Sequence, residues 1–393
     1  MTFVAVFCLG LLLVQIPAVL ILLSRLLKGP FRRPPLLPIK ATGDLLGKVS
    51  IIVPTLNEVE RIAPCLALLS QQSYEVREIL VVDSHSTDGT REKVKNRAAI
   101  DPRFRLKTDD PLPSNWVGRP WALHNGFLMS SAQSEWILGI DADTQPQPGL
   151  VASLVKTATE EGYDLLSLSP QFILKYPGEW WLQPALLMTL LYRFDSAGVK
   201  DHSPERVMAN GQCFLVRRSV LQALGGYECA AQSFCDDVTL ARYAARLGYK
   251  VGFLDGAKVL RVRMYEGLQE TWKEWGRSLD LKDASSVTQL WGDLYLLIFT
   301  QGLPLILSLA LGWYWLRGDH FPTLTIALGL NLFLVLIRVG LLFAIAPSYA
   351  QDKTKQVSSL FFWLSPVADP LAVLRIILSA LQRPTAWRGR VYS

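Results

Sequence analysis

The stretch Trp136-Ile-Leu-Gly-Ile-Asp141-Ala-Asp143 drives a short apolar run into two carboxylates separated by one residue. Five residues of this kind read as a buried strand, and on an extended backbone Asp141 and Asp143 point to the same side. Oxygen ligands so placed suit Mg²⁺ or Mn²⁺ holding the phosphates of a substrate. The competing reading is a strand that ends in an Asp-rich turn, continued by Thr144-Gln-Pro-Gln-Pro-Gly149.

Outward from this stretch the same pattern repeats. Between Lys48 and about Gly256, short apolar runs at 49–53, 79–82 and 165–168 read as further strands, with helical patterns at 59–69, 90–98 and 150–160 between them. That alternation predicts an α/β domain with a largely parallel sheet. Open sheets of this type bind ligands beyond the carboxyl ends of their strands. There the sequence places Pro54-Thr-Leu-Asn-Glu58, Asp83-Ser-His-Ser-Thr-Asp88-Gly-Thr90 and Asp141-Ala-Asp143, so three successive strand ends carry carboxylates.

Hydrophobic residues make up 50% of the 393 and mean hydropathy is +0.24, too apolar for an ordinary soluble enzyme. Residues 3–24 are long and apolar enough to span a bilayer, and Arg25, Lys28, Arg32, Arg33 and Lys40 follow. An uncleaved anchor is expected over 1–27, since no basic residue precedes the run and no small-residue cleavage site follows it. The positive-inside rule then places the α/β domain on the cytoplasmic side, making this an integral membrane protein. A basic, Pro-rich linker is expected over 28–47, running along the membrane surface.

Three more apolar runs lie near 290–316, 322–346 and 360–381. The first two are expected to form a transmembrane hairpin over 289–346. The third, broken by Pro366 and Asp369-Pro370, is expected to be interfacial or re-entrant, within a tail over 347–393 that ends in a basic stretch. A helix near 179–194 is too short to span, and its Trp, Tyr and Arg flanks suit the headgroup level; a buried core helix is the alternative. Five cysteines without CxxC spacing indicate neither a disulfide framework nor a zinc site. The net charge of +6 comes without a basic stripe or a nucleic-acid motif, so anionic lipid is the expected partner and nucleic acid is not.

Taken in order, PTLNE, VVDSHSTDGT, NWVGRPWALHNG, GIDAD, NGQCFLVRRSVLQALGGY and CDDVTLARYAARLGY resemble family 2 glycosyltransferases with the GT-A fold, over roughly residues 48–280. The resemblance implies a Rossmann-like GT-A catalytic domain over 48–288, a nucleotide-sugar donor (a UDP- or GDP-sugar) and a divalent cation. Pro54, Thr55 and Glu58 match the first nucleotide-contacting loop, although an acid there also suits the start of a helix. Asp83 matches the base-recognising aspartate, its alternative being a strand-end cap. Asp141 and Asp143 match the metal pair, with Asp143 as the direct ligand. Asp237 matches the catalytic base and Asp236 a supporting residue, with the reverse assignment open, and both acids also suit the N-terminus of the helix that follows.

Two departures from the family pattern matter. Arg119 stands where this branch usually carries lysine, which keeps the charge but changes the donor geometry. The segment Glu270-Thr-Trp-Lys-Glu-Trp275-Gly-Arg277 keeps a Trp and displaces the Arg of the polymer-synthase motif, which argues for transfer of one sugar. For Trp275 the alternatives are closing over a ligand or simple packing, and for Arg277 a phosphate contact or a solvated charge. The segments LLKGPFRRPP, WxxWGRS and WRGRVY are similar to those of membrane enzymes that glycosylate carotenoids, and to hopanoid-associated and ceramide-type glucosyltransferases. An inverting transfer to the hydroxyl of a membrane lipid is therefore expected, with a carotenoid as acceptor; a hopanoid or ceramide acceptor is the enzymatic alternative, and a catalytically silent membrane scaffold the non-enzymatic one.

Overall fold

The structure, a computed structural model, describes residues 3–199, 203–275, 281–350, 356–381, 386–387 and 390–391. The chain divides into two compact units: an α/β unit of residues 32–173, 197–264 and 384–393, and an apolar helical unit of residues 1–31, 174–196 and 265–383. Residues 174–196 and 265–383 belong to the helical unit.

In the α/β unit, strands β1 (Val49–Thr55), β2 (Val76–Asp83), β3 (Phe104–Thr108) and β4 (Trp136–Ile140) alternate with helices α1 (Ile62–Leu69), α2 (Thr90–Ala98) and α3 (Gly118–Met129). They are followed by β5 (Thr144–Pro146), α4 (Leu150–Glu161), β6 (Leu165–Ser169), β7 (Gln171–Ile173), β8 (Cys213–Arg217), α5 (Arg218–Ala223), α6 (Asp236–Arg246), β9 (Val251–Asp255) and β10 (Leu260–Val262). Seven strands form one sheet in the order β3-β2-β1-β4-β8-β6-β9. All neighbours run parallel except β8, which is antiparallel to both β4 and β6. Strand β10 pairs antiparallel with β5 and parallel with β7 in a smaller sheet.

Helices cover both faces of the large sheet, so its strands are apolar on both sides rather than alternating. Ile51, Val53, Leu138 and Leu215 pack with Ile62, Leu66, Leu150 and Leu154 on one face. Ile52, Ile137, Phe214 and Val216 pack with Leu123, Phe127, Leu221 and Leu240 on the other. The expected α/β architecture with a mostly parallel sheet is what forms.

The Pro-rich segment is not a free linker. Leu36 and Leu45 join the sheet's core, the Leu36 N–H donates to the Asp255 carbonyl at 2.8 Å, and the Ser153 hydroxyl donates to the Leu37 carbonyl at 2.6 Å. Its prolines prevent a helix, and an extended strap satisfies its backbone against α4 and β9 instead.

In the helical unit, Phe3–Leu26 and Pro322–Ile345 are helices long and apolar enough to cross a membrane. The run near 290–316 is not one continuous helix. Val287–Leu297 and Pro304–Leu316 are separated by a π-helical turn at Ile298–Gly302, with a bend of 48°. Pro304 lacks the N–H that would carry the helix through, and the wider turn absorbs the break. Leu311 packs with Leu324 and Ala327. Pro366 splits the third run into Gln356–Trp363 and Asp369–Leu381, as anticipated. Helix Pro177–Arg193 buries Glu179, Trp180, Gln183, Leu186, Thr189 and Tyr192, so the buried-core alternative describes it better than the headgroup-level one.

Candidate active site

The site is built where strands end. The parallel register aligns Pro54 with Val82 and Thr55 with Asp83. There the Thr55 hydroxyl donates to Asp83 Oδ1 at 3.2 Å, and the Ser86 N–H donates to Oδ2 at 3.0 Å. Asp83 is buried, so its carboxylate works at least as a strand-end cap. The loops after β1 and β2 clasp each other. Asn57 N–H donates to the Ser86 hydroxyl at 2.8 Å while Asn57 Oδ1 accepts from Thr87 N–H at 3.0 Å. Glu58 and Val59 donate their N–H groups to Thr90 and to the Asp88 carboxylate. Asn57 sits at φ 54°, a region where a short polar side chain is tolerated. This clasp displaces the start of α1 from the expected residue 59 to Ile62.

After β4 the backbone does not stay extended; Ala142 and Asp143 lie in a turn. The Thr144 hydroxyl donates to the Asp141 carbonyl at 2.8 Å and closes that turn. Both carboxylates remain half-buried. Behind them is Cys65, whose thiol is pushed up to about 12 by burial and by the charges of Asp143, Asp141 and Glu58.

Arg119, in the first turn of α3, is the centre of the second half. Its Nε and Nη2 donate to Asp141 Oδ1 at 3.0 and 2.9 Å, its Nη1 donates to Asp236 Oδ2, and its Nη2 also donates to the Gly211 carbonyl at 2.8 Å. The guanidinium is held firmly charged: burial opposes the charge, but Asp141, Asp236 and Asp237 outweigh it. Asp236 and Asp237 open α6, where acids meet the positive end of the helix. Asp237 Oδ2 accepts the Gly211 N–H at 2.6 Å. Burial first, and then the charge of Asp236, push Asp237 up to about 6; Arg119 and the N–H groups of Val238 and Gly211 pull the other way. Burial likewise raises Asp236 against the pull of Arg119.

The structure thus brings Arg119, Asp141, Asp236 and Asp237 together, and groups Pro54, Thr55, Glu58 and Asp83 at the ends of β1 and β2. Trp275, in a π-helical turn of the helical unit, is buried and packs on Tyr265 with ring centroids 6.2 Å apart. Arg277 lies outside the described residues. Gly211, Asn57 and Cys65 were not singled out from the sequence. Gly211 acts through its main chain, which no side-chain chemistry announces; the positive φ of Asn57 leaves only a weak trace in its residue type.

Among the described residues no group of three His, Cys, Asp or Glu side chains is arranged to hold a metal ion. Asp141 and Asp143 fit a different mode, in which a hard cation takes one or two carboxylates and completes its shell with phosphate oxygens and water.

Residues 50–225 match the profile described as Glycosyl transferase family 2. Similar curated proteins include the 4,4'-diaponeurosporenoate glycosyltransferase of Staphylococcus haemolyticus, 26% identical over 250 residues, covering 63% of this chain and 65% of that protein. Glycosyltransferase AglE of Haloferax volcanii is 27% identical over 210 residues, covering 52% of this chain and 64% of that one. The chain therefore spans just under two thirds of the length of these relatives. Among solved structures, the mannosyltransferase PcManGT from Pyrobaculum calidifontis, in complex with GDP-Man and Mn²⁺, aligns over 96% of this chain and 98% of its own with 17% identity and a TM-score of 0.49.

Proposed function

We propose that this chain, whose residues 50–225 are a glycosyltransferase family 2 domain, moves one sugar from a nucleotide sugar to the hydroxyl of a membrane lipid, with a carotenoid as acceptor. The observation that carries the reading is the Arg119-centred set of carboxylates, which puts a base of raised pKa beside a fixed cation and the Asp141-Ala-Asp143 turn. The ends of β1 and β2, with Thr55, Glu58 and Asp83, would take the nucleoside of a UDP- or GDP-sugar, with Pro54 shaping the loop. A Mg²⁺ or Mn²⁺ ion held by Asp143 and Asp141 would supply charge relief to the leaving diphosphate.

Asp237 is the base. Gly211 holds one of its oxygens, and the remaining lone pairs take the proton of the acceptor hydroxyl. The acceptor oxygen bonds to the anomeric carbon as that carbon's bond to the diphosphate oxygen breaks, and the electron pair leaves with the nucleoside diphosphate. A single displacement of this kind inverts the anomeric centre. Arg119 offsets the charges of Asp236 and Asp141 while the proton moves.

A lipid acceptor is supported by the two apolar helices long enough to span a membrane and by exposed apolar side chains such as Leu309 at 71% and Leu336 at 69%. The Staphylococcus relative is named as a 4,4'-diaponeurosporenoate glycosyltransferase, a carotenoid-type enzyme, which favours a carotenoid over a hopanoid or ceramide. Basic residues after the first helix favour a cytoplasmic α/β unit.

The test uses the purified chain in lipid with Mg²⁺ or Mn²⁺, a panel of UDP- and GDP-sugars, and separate carotenoid, hopanoid and ceramide acceptors, with products read by mass. A single-sugar adduct on the carotenoid, absent in Asp237→Asn, is the expected result. An adduct on a hopanoid or ceramide alone replaces the acceptor assignment. Neither adduct nor nucleotide release under any metal would leave the silent scaffold as the better account.

A further inference from the structure

Gly211 joins the two halves of the acid cluster through its own peptide groups. Its N–H donates to Asp237 at 2.6 Å, and its carbonyl accepts from Arg119 Nη2 at 2.8 Å. The loop that carries it is pinned on both sides. Asn210 N–H donates to the Ser167 hydroxyl at 2.7 Å, Gln212 N–H donates to Asn210 Oδ1 at 3.0 Å, and Asp141 N–H donates to the Gln212 carbonyl at 3.4 Å. A Cβ on residue 211 would lie 2.8 Å from Cζ of Arg119 and 2.9 Å from its Nη1, with Nη2 nearer still. Its φ is not in the left-handed region, so the backbone alone would accept alanine. A side chain here would have to push the guanidinium off the oxygens of Asp141 and Asp236 that hold it.

We infer that Gly211 is a positioning residue for the proposed transfer: by having no side chain it lets Arg119 lie flat against its peptide, so that one rigid loop fixes the base Asp237 and its neighbouring cation at a set separation. This rests on the reading of Asp237 as base.

The test is a double-mutant cycle on the full chain in lipid, read by melting and by turnover. Gly211→Ala in the parent background is expected to lower the melting midpoint and to reduce kcat at least tenfold, with donor KM within about threefold. In an Arg119→Met background the same alanine should change neither quantity, because the clashing group is gone. Gly211→Ala with Arg119→Lys should recover part of the lost kcat, the shorter cation fitting beside a methyl group. Equal costs of the alanine in both backgrounds would overturn the inference, as would parent-like turnover in folded Gly211→Ala. A coupled melting cycle in a parent chain that transfers no sugar to any acceptor would sink the transfer reading and the positioning role, leaving only the steric pairing.

Discussion

Arg119 grips a single oxygen of Asp141 with two donors, Nε at 3.0 Å and Nη2 at 2.9 Å, while its third nitrogen reaches Asp236. One cation thus compensates acids from the end of β4 and the start of α6. Replacing it with methionine leaves Asp141, Asp236 and Asp237 facing one another without a counter-charge. Arg119→Met is expected to cut kcat by about 10²-fold, the scale of losing one preorganised charged donor. Arg119→Lys keeps the charge but loses the fork and should fall between the two. Initial rates at saturating donor check both, and parent-like turnover in Arg119→Met would remove the cation from the mechanism.

Asp237, raised to about 6, must be ionised to accept a proton, so its effect on rate has a definite sign. Activity should fall as pH drops through about 6, with a slope of one decade per unit below it. Stability runs the other way. A carboxyl whose folded pKa lies above its ordinary value contributes most below the ordinary carboxylate range, and that contribution is lost as pH rises through about 6. Asp237→Asn should therefore abolish transfer yet raise the melting midpoint by a few degrees at pH 7 and not at pH 4. A variant that melts below the parent at pH 7 would contradict the charge burden assigned to Asp237.

Much of this arrangement is legible in the amino-acid sequence, because buried parallel strands write continuous apolar runs. Residues 136–140 and 90–98 form the strand and helix expected at those bounds. Legibility failed where tertiary contacts outrank local pattern. Residues 28–47 read as a basic linker along the membrane surface, yet Leu36 and Leu45 join the core, and residues 179–194 look interfacial until Trp180 and Tyr192 are buried. The antiparallel run of β8 and the main-chain role of Gly211 carry no period or charge that a sequence could display.

A cation held by Asp141 and Asp143 would share Asp141 with Arg119, whereas Asp143 would serve the cation without that arginine, and this makes the two acids unequal. Asp143→Ala should abolish metal-dependent stabilisation, whereas Asp141→Ala, which also strips Arg119 of a partner, should additionally lower stability without metal. Melting midpoints with EDTA and with saturating Mn²⁺ measure this directly, since a ligand at a hundred times its Kd stabilises by about 2.7 kcal/mol. Absence of any Mn²⁺ shift in the parent, with and without nucleoside diphosphate, would argue against a metal at these residues.

In the helical unit, Arg338 on the apolar helix Pro322–Ile345 donates to both oxygens of Asp369, at 2.7 and 3.1 Å, and Gln301 adds a third donor to that carboxylate at 3.0 Å. Both charged side chains are only 4% exposed. The pair ties the start of Asp369–Leu381 to Pro322–Ile345, and Gln301 in the π-helical turn ties in the broken helix beside them. Removing one partner leaves an uncompensated buried charge, which costs about 3–5 kcal/mol, whereas replacing both by apolar side chains of similar volume is often neutral. Arg338→Met should therefore unfold the helical unit at markedly lower denaturant, and Arg338→Met with Asp369→Leu should restore most of the loss. Denaturation in detergent micelles, followed by tryptophan fluorescence, distinguishes the cases. If the double variant is as unstable as the single one, apolar packing does not replace the pair together with the bonds that Gln301 donates to Asp369 and Ser365 accepts from Arg338.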